Sequence, residues 1–281
     1  MTNIKFHKMH GLGNDFVLID ASIQDIDINP QTIQFISNRK YGIGCDQVLI
    51  IKSKHIKNEY DYIIYNQDGS EVPQCGNGAR VIIKYLYLNN MIIAQEEVVL
   101  HTSKTTIRGF VDNVTNLISV NMGIASFTPD KLPFHHPVST NNIYEADIHG
   151  KQINFGVAFI GNPHVIIKLD NENDLSKYEE LQKIAIFLQQ SPMFPESVNI
   201  NFYYQIDNKC IKLLTYERGV GFTNACGSGA AATVAFLVHN HAANNITNVM
   251  MPGGELAVSI INNGVHMLGD AMYVFNGIIS L

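Results

Sequence analysis

Two five-residue phrases share one pattern, Cys75-Gly76-Asn77-Gly78-Ala79 and Cys226-Gly227-Ser228-Gly229-Ala230, and each opens a long apolar run that predicts a helix. A helix N-terminus presents backbone N–H groups without intrahelical partners and the positive end of the macrodipole. A thiol placed there is expected to ionise more readily, and an anionic ligand to be held. Two thiols in matched settings point to a pair that acts together, one as base and one as acid. The glycine after each cysteine lets the backbone approach a ligand closely.

The elements that must position these thiols are duplicated as well. Gly13-Asn14-Asp15-Phe16-Val17 matches Gly161-Asn162-Pro163-His164-Val165, with 61 residues from Asn14 to Cys75 and 64 from Asn162 to Cys226. A helix start follows each phrase, Asn29 with Pro30 in the first copy and Ser176 with Glu179 as a capping box in the second. An amide stands 28 residues before Cys75 (Gln47) and 27 before Cys226 (Asn199). Nine residues before each cysteine a polar residue ends a strand-like run, Asn66 and Glu217. So long a period predicts two homologous domains rather than a solenoid. Strands are expected at 16–19, 48–51, 60–65, 98–100 and 118–120, with counterparts at 164–169, 199–204, 211–216 and 256–260. The cysteine-led helices, 79–88 and 230–238, are apolar on most faces and are expected to be buried centrally. The fold class expected is α/β (α+β): two domains, each a curved, mainly antiparallel sheet wrapped around a helix. The best boundary between them lies near Asn121-Met122-Gly123, with Cys75 in the first domain and Cys226 in the second, and the final run, 272–279, reads as a strand returning to either half.

Composition agrees. A chain of 281 residues fits two domains. Its 16% charged residues fall below the roughly 25% of an average protein, which leaves room for a homodimer interface. A net charge of −6 and the lack of basic runs argue against nucleic acid. The first residues lack the apolar core of a signal peptide and no stretch has the length of a membrane span, so a cytoplasmic protein without a membrane partner is expected. The four cysteines have no Cys-x-x-Cys spacing, and no metal site is expected. Cys45 and Cys210, outside the repeated phrase, read as buried core thiols.

Together, Met9-His10-Gly11-Leu12-Gly13-Asn14-Asp15-Phe16, Asp68-Gly69-Ser70-Glu71, Gln74-Cys75-Gly76-Asn77-Gly78-Ala79-Arg80, Gly161-Asn162-Pro163-His164, and Tyr216-Glu217-Arg218-Gly219 running into Ala225-Cys226-Gly227-Ser228-Gly229 closely resemble the diaminopimelate epimerase family over essentially the whole chain. The resemblance implies cofactor-free conversion of LL-2,6-diaminopimelate to meso-diaminopimelate for lysine and peptidoglycan synthesis, with the last strand added to the first domain, so that the first spans 1–120 plus 268–281 and the second 121–267. It casts Cys75 and Cys226 as the catalytic pair, with His164 and Glu217 tuning the thiols. Substrate contacts would fall to Asn14, Gln47, Asn66, Gly76, Asn77, Asn162, Asn199, Glu217, Arg218, Gly227 and Ser228. Arg218 would clamp the distal carboxylate in a largely dry pocket.

That chemistry is physically coherent. Inverting a carbon beside a carboxylate takes a weakly acidic proton from one face and returns one to the other, while preorganised N–H groups hold the carboxylate as charge builds. Electrostatic preorganisation would stand in for pyridoxal phosphate, for which no distinct phosphate-binding motif is found. Other readings stand beside it. Asn14 and Asn162 also read as turn caps, and His164 as a satisfied core histidine. Phe222 departs from the family, which commonly has Glu there, and leaves the local hydrogen bonding open. Proline or hydroxyproline racemisation and a non-catalytic thiol switch are the competing functions.

Overall fold

The computed structural model describes residues 2–72, 75–128, 133–136, 139 and 142–281; Gln74 of the first cysteine phrase lies outside them. The chain forms two compact units, Met1–Asn121 with Leu268–Leu281 and Met122–Met267.

In the first unit β1 (Asn3–Gly11) and β2 (Asn14–Asp20) pair antiparallel, and β3 (Gln47–Ser53) then joins β2 in parallel. The crossover between them carries α1 (Pro30–Ser37), as parallel neighbours require. β4 (Glu59–Asn66) runs antiparallel to β3 and parallel to β5 (Val98–His101), and that second crossover is α2 (Gly76–Leu88). β6 (Thr106–Val111) and β7 (Ile118–Ile124) continue antiparallel.

The second unit repeats this order. β8 (Ile143–Ile148) pairs with β9 (Lys151–Phe159), and β9 and β10 (Pro163–Lys168) are antiparallel. After α3 (Tyr178–Gln190), β11 (Asn199–Asp207) lies parallel to β10 and antiparallel to β12 (Cys210–Glu217). A short β13 (Gly221–Thr223) folds back on β12. Then α4 (Gly227–His239) leads to β14 (Ile246–Met251), which is parallel to β12 and antiparallel to β15 (Gly254–Ile261). After β16 (Gly264–Gly269), β17 (Met272–Ser280) returns to pair with β1, as β8 pairs with β9.

Each sheet is covered on both faces. In the first unit Val17, Ile19, Val48 and Ile50 pack with Ile33 and Ile36 of α1, while α2 contacts β1, β2, β6 and β17. In the second, Val165, Ile200, Phe202 and Leu214 pack with Leu181, Ala185 and Leu188 of α3, and α4 contacts β9, β10, β11 and β15. Ten of the 13 residues of α2 and ten of the 13 of α4 are buried, which gives each cysteine-led helix the central place its sequence predicts. Both helices begin at the first glycine of the phrase, three residues earlier than the apolar runs alone suggest.

Local capping explains one helix start and corrects another. Asn29 caps α1, its Oδ1 accepting the Thr32 N–H at 2.9 Å with Pro30 in the first turn. The expected Ser176/Glu179 capping box does not form. Ser176 ends a 3-10 turn (Glu172–Ser176) and donates its hydroxyl to the Asn173 carbonyl at 2.6 Å, so α3 starts one residue later behind Lys177 with no side-chain cap. Cys45 sits in the α1 core, where burial raises its thiol to about 12. Cys210 differs from expectation: it is only half-buried, because it opens β12 next to the Asp207–Cys210 turn.

Gly156 of β9 sets how closely α4 approaches its sheet. A Cβ built there meets the Phe236 ring at 2.2 Å, too close for any real side chain. Gly156→Ala is therefore expected to destabilise the protein by about 1–3 kcal/mol through overpacking. Denaturant unfolding checks this; an unchanged midpoint and slope would show that Phe236 moves aside at no cost.

Candidate active site

Cys226 is the N-cap of α4. Its backbone is extended, and its Sγ accepts the Gly229 N–H at 3.3 Å, taking up one of the donors that a helix start leaves unpaired. The sulfur also lies 3.6 Å from Ser228 Oγ. Beneath it, β10, β11 and β12 present His164, Asn201 and Thr215. The register pairs His164 with Asn199, and Asn201 with Thr215. Gly229 makes room for them: a Cβ on it would meet Asn201 Oδ1 at 2.4 Å and Thr215 Oγ1 at 2.9 Å.

His164 is fully buried and both ring nitrogens are engaged, Nε2 with Asn162 Oδ1 at 2.8 Å and Nδ1 with Asn201 Nδ2 at 3.0 Å. Burial, with a smaller contribution from the Arg218 charge, lowers the imidazole to about 3, so it is neutral near pH 7. Asn162 reaches from His164 to Ser228, its Nδ2 lying 3.4 Å from Ser228 Oγ. Asn199 contacts the Pro163 carbonyl at 3.4 Å and accepts the Arg218 backbone N–H at 2.9 Å, so its amide orients the Arg218 segment. Glu217 ends β12, accepts the Thr223 hydroxyl at 2.6 Å and interacts with Cys226. Phe222 stacks edge-on against Tyr216 and Tyr178, with ring centroids 4.9 and 5.1 Å apart. Aromatic packing thus fills the place left open by the missing carboxylate.

In the first unit Cys75 caps α2 in the same way, with the Gly78 N–H on its Sγ at 3.4 Å. The ground below differs. Phe16 occupies the register place of His164, because it pairs with Gln47 as His164 pairs with Asn199. Two residues beyond Gln47, Leu49 stands where the second unit has Asn201. A Cβ on Gly78 would meet the Tyr62 hydroxyl at 2.2 Å and Leu49 at 3.2 Å. Tyr62 donates to the Cys75 carbonyl at 3.1 Å.

Beside this apolar ground runs a chain of amides. Arg80 Nη2 donates to Asn77 Oδ1 at 2.9 Å, Asn77 Nδ2 to Asn14 Oδ1 at 3.2 Å, and Asn14 Nδ2 to Asp46 at 3.0 Å. Burial pulls the fully buried Arg80 down to about 10, and Cys75 is near enough to act on its charge. Gln47 Nε2 donates to Asn66 Oδ1 at 3.0 Å, while its buried Oε1 has no partner among the described residues. Gly76 and Asn77 open α2, as Gly227 and Ser228 open α4.

Two expectations change. The Cys226 thiol is raised well above its ordinary value rather than lowered, because burial and then the Glu217 carboxylate outweigh donation from Ser228 and Gly229. Arg218 is exposed rather than in a dry pocket, with Nη1 on the Glu196 carbonyl at 2.6 Å. Sequence reading also missed Asn201. Its signal is the Asn199-Ile200-Asn201 alternation, which puts two amides on the face of β11 that α4 covers.

His164 makes stability depend on pH in a defined window. Above about pH 6.5 the ring is neutral folded or unfolded. As pH falls from there towards 3, the unfolded chain takes up a proton that the buried ring refuses, and stability drops by a few kcal/mol, roughly. Unfolding midpoints measured across this range are expected to fall less steeply for His164→Gln; parallel slopes would contradict a buried neutral ring.

The family model for diaminopimelate epimerase matches residues 6–128 and 156–274, one stretch in each half. Among solved structures, a probable proline racemase from Agrobacterium radiobacter K84, with bound carbonate, aligns at 14% identity and a TM-score of 0.73. It covers 99% of this chain and 93% of its own. A hydroxyproline epimerase from Agrobacterium vitis, with bound trans-4-hydroxy-L-proline, gives 13% and 0.71 over 99% and 91%. A phenazine biosynthesis protein of the PhzF family from Bacillus anthracis gives 13% and 0.69 over 100% of both chains. At these identities the likeness is one of fold. The match of the family model to most of the sequence, in both halves, shows that the chain belongs to the diaminopimelate epimerase family.

Proposed function

We propose that this protein is an isomerase that converts LL-2,6-diaminopimelate to meso-diaminopimelate without a cofactor, in the supply of lysine and peptidoglycan precursors. The observation that carries the reading is the pair of cysteine N-caps at matched helix starts, with Arg80 near Cys75 and Glu217 near Cys226. Such a difference suits two sulfurs with opposite protonation at the start of a turnover.

Cys226 rests as the thiol and Cys75 acts first as the base. The Cys75 thiolate takes the α-proton, and the electron pair of the broken C–H bond moves into the carboxylate. Cys226 then gives its S–H proton to the opposite face of the carbon, which leaves Cys75 as thiol and Cys226 as thiolate. Backbone N–H groups at Gly76, Asn77, Gly227 and Ser228 stabilise the charge that builds on the carboxylate. The unpartnered Gln47 Oε1 suits an ammonium donor, with Asn66 holding the amide in place. Asn14, Asn162 and Asn199 complete the polar lining, and Arg218 binds the distal carboxylate. The activity is assigned to the cytoplasm. For a homodimer, β17 offers the exposed side chains of Val274, Phe275 and Ile278.

In deuterium oxide the purified, reduced protein is expected to incorporate deuterium at the α-carbon of diaminopimelate. Cys75→Ala and Cys226→Ala are each expected to cut epimerisation at least about a hundredfold with circular dichroism unchanged, while Cys210→Ser stays near normal. Near-normal turnover in either active-site variant would end the two-thiol reading. Rapid racemisation of proline without action on LL-diaminopimelate would move the assignment to a proline-type racemase.

Arg218→Ala is expected to raise KM for diaminopimelate by about tenfold or more, with a smaller effect on kcat, because an exposed clamp contributes to substrate and transition state alike. Unchanged KM would remove Arg218 from the binding set.

A further inference from the structure

We propose that Asn201 is a positioning residue: it holds His164 in the Nε2–H tautomer and, through Asn162, turns the Ser228 hydroxyl hydrogen onto Cys226 Sγ. The direction of the relay follows from one fixed point. Asn201 Nδ2 faces the Val165 carbonyl at 2.9 Å, and a carbonyl can only accept, so this end of the amide is the NH2 group. Asn201 Oδ1 accepts the Thr215 hydroxyl at 3.0 Å, which agrees with that orientation. The second hydrogen of Nδ2 points to His164 Nδ1 at 3.0 Å, so Nδ1 carries the lone pair and Nε2 the proton. Nε2–H then donates to Asn162 Oδ1 at 2.8 Å, which leaves Asn162 Nδ2 as the group facing Ser228 Oγ at 3.4 Å. Because Ser228 receives a hydrogen from Asn162, it cannot donate its own there. That hydrogen is free for the sulfur 3.6 Å away, beside the Gly229 N–H.

Comparison of the repeats argues that folding alone does not require this relay. The first unit builds the same strands and the same capped helix over Phe16 and Leu49 at the places of His164 and Asn201. The second unit keeps four buried or half-buried polar side chains in one directed series, all of them satisfied. Its end point is the sulfur that burial and Glu217 disfavour as an anion. A hydroxyl and a backbone N–H aimed at that sulfur supply what the thiolate needs when it forms. The relay moves no proton along its length; it fixes orientations. Charged groups near it are Arg218, which disfavours protonation of His164, and Glu217, which faces Cys226.

The catalytic consequence rests on the epimerase reading above, whereas the tautomer does not. The test is long-range proton–nitrogen correlation on the full chain labelled with 15N-histidine, the His164 signals being assigned by their loss in His164→Gln. The unmodified protein is expected to show a neutral ring protonated at Nε2 at and above neutral pH. In Asn201→Asp the new carboxylate can only accept from the ring, so the proton is expected at Nδ1 and the Asn162 amide turns over. Deuterium incorporation into diaminopimelate is then expected to fall at least about tenfold, and the Cys226 thiolate to form at higher pH. A ring protonated at Nδ1 in the unmodified protein overturns the proposal, whether or not Asn201→Asp folds. An unchanged Nε2–H ring in Asn201→Asp overturns it too, as does a tautomer switch that leaves deuterium incorporation and Cys226 ionisation unaltered. If the tautomers behave as stated but the unmodified protein exchanges no α-proton, the substrate assignment fails and the lock on His164 stands.

Discussion

A helix that begins inside a unit must find partners for backbone N–H groups that would otherwise face water, and here a sulfur supplies one of them at each of two helices. Gly78 and Gly229 donate to Cys75 and Cys226 from the third position of their helices. Those glycines matter for a second reason. Neither position has room for a Cβ, because the strands below press a hydroxyl or an amide against the first helical turn. The repeated phrase therefore encodes close approach between helix start and sheet as well as a thiol. Topology sustains this geometry: each cysteine-led helix is the crossover between parallel strands, so its N-terminus emerges just beyond the end of β4 or β12.

On that shared scaffold the two units diverge where chemistry would need them to. Under Cys75 the sheet offers Phe16, Leu49 and the Tyr62 hydroxyl, with a buried arginine in the same helix. Under Cys226 it offers imidazole, amide and hydroxyl, with a carboxylate at the end of β12. A symmetric pair of thiols would have no preferred starting protonation. Arg80 beside Cys75 and Glu217 beside Cys226 break that symmetry, within a fold whose strand order is otherwise repeated.

Much of this was legible in the sequence because it depends on local rules. Asn29-Pro30 reads as a helix start since a side chain and its own third-following N–H decide it. The offsets between Asn14 and Cys75 and between Asn162 and Cys226 reveal the duplication without any knowledge of packing. What failed depends on tertiary surroundings. Ser176 spent its hydroxyl on a tighter turn. Cys226 obeyed burial and a neighbouring carboxylate rather than the helix terminus, and Arg218 lies in the open. Asn201 escaped notice because alternating Asn and apolar residues on one strand describe a solvent-facing edge equally well. Only the presence of α4 over that face turns the amide into a buried, directed group.

In the proposed reaction the two sulfurs start in different protonation states, with Cys226 held as a thiol. Ultraviolet titration of thiolate absorbance tests it most directly, comparing Cys75→Ala with the variant lacking both Cys75 and Cys226, so that the difference reports Cys226 alone. This difference is expected to stay at zero through neutral pH and to appear only well above the ordinary thiol range. A Cys226 thiolate that titrates at or below neutral pH would contradict it.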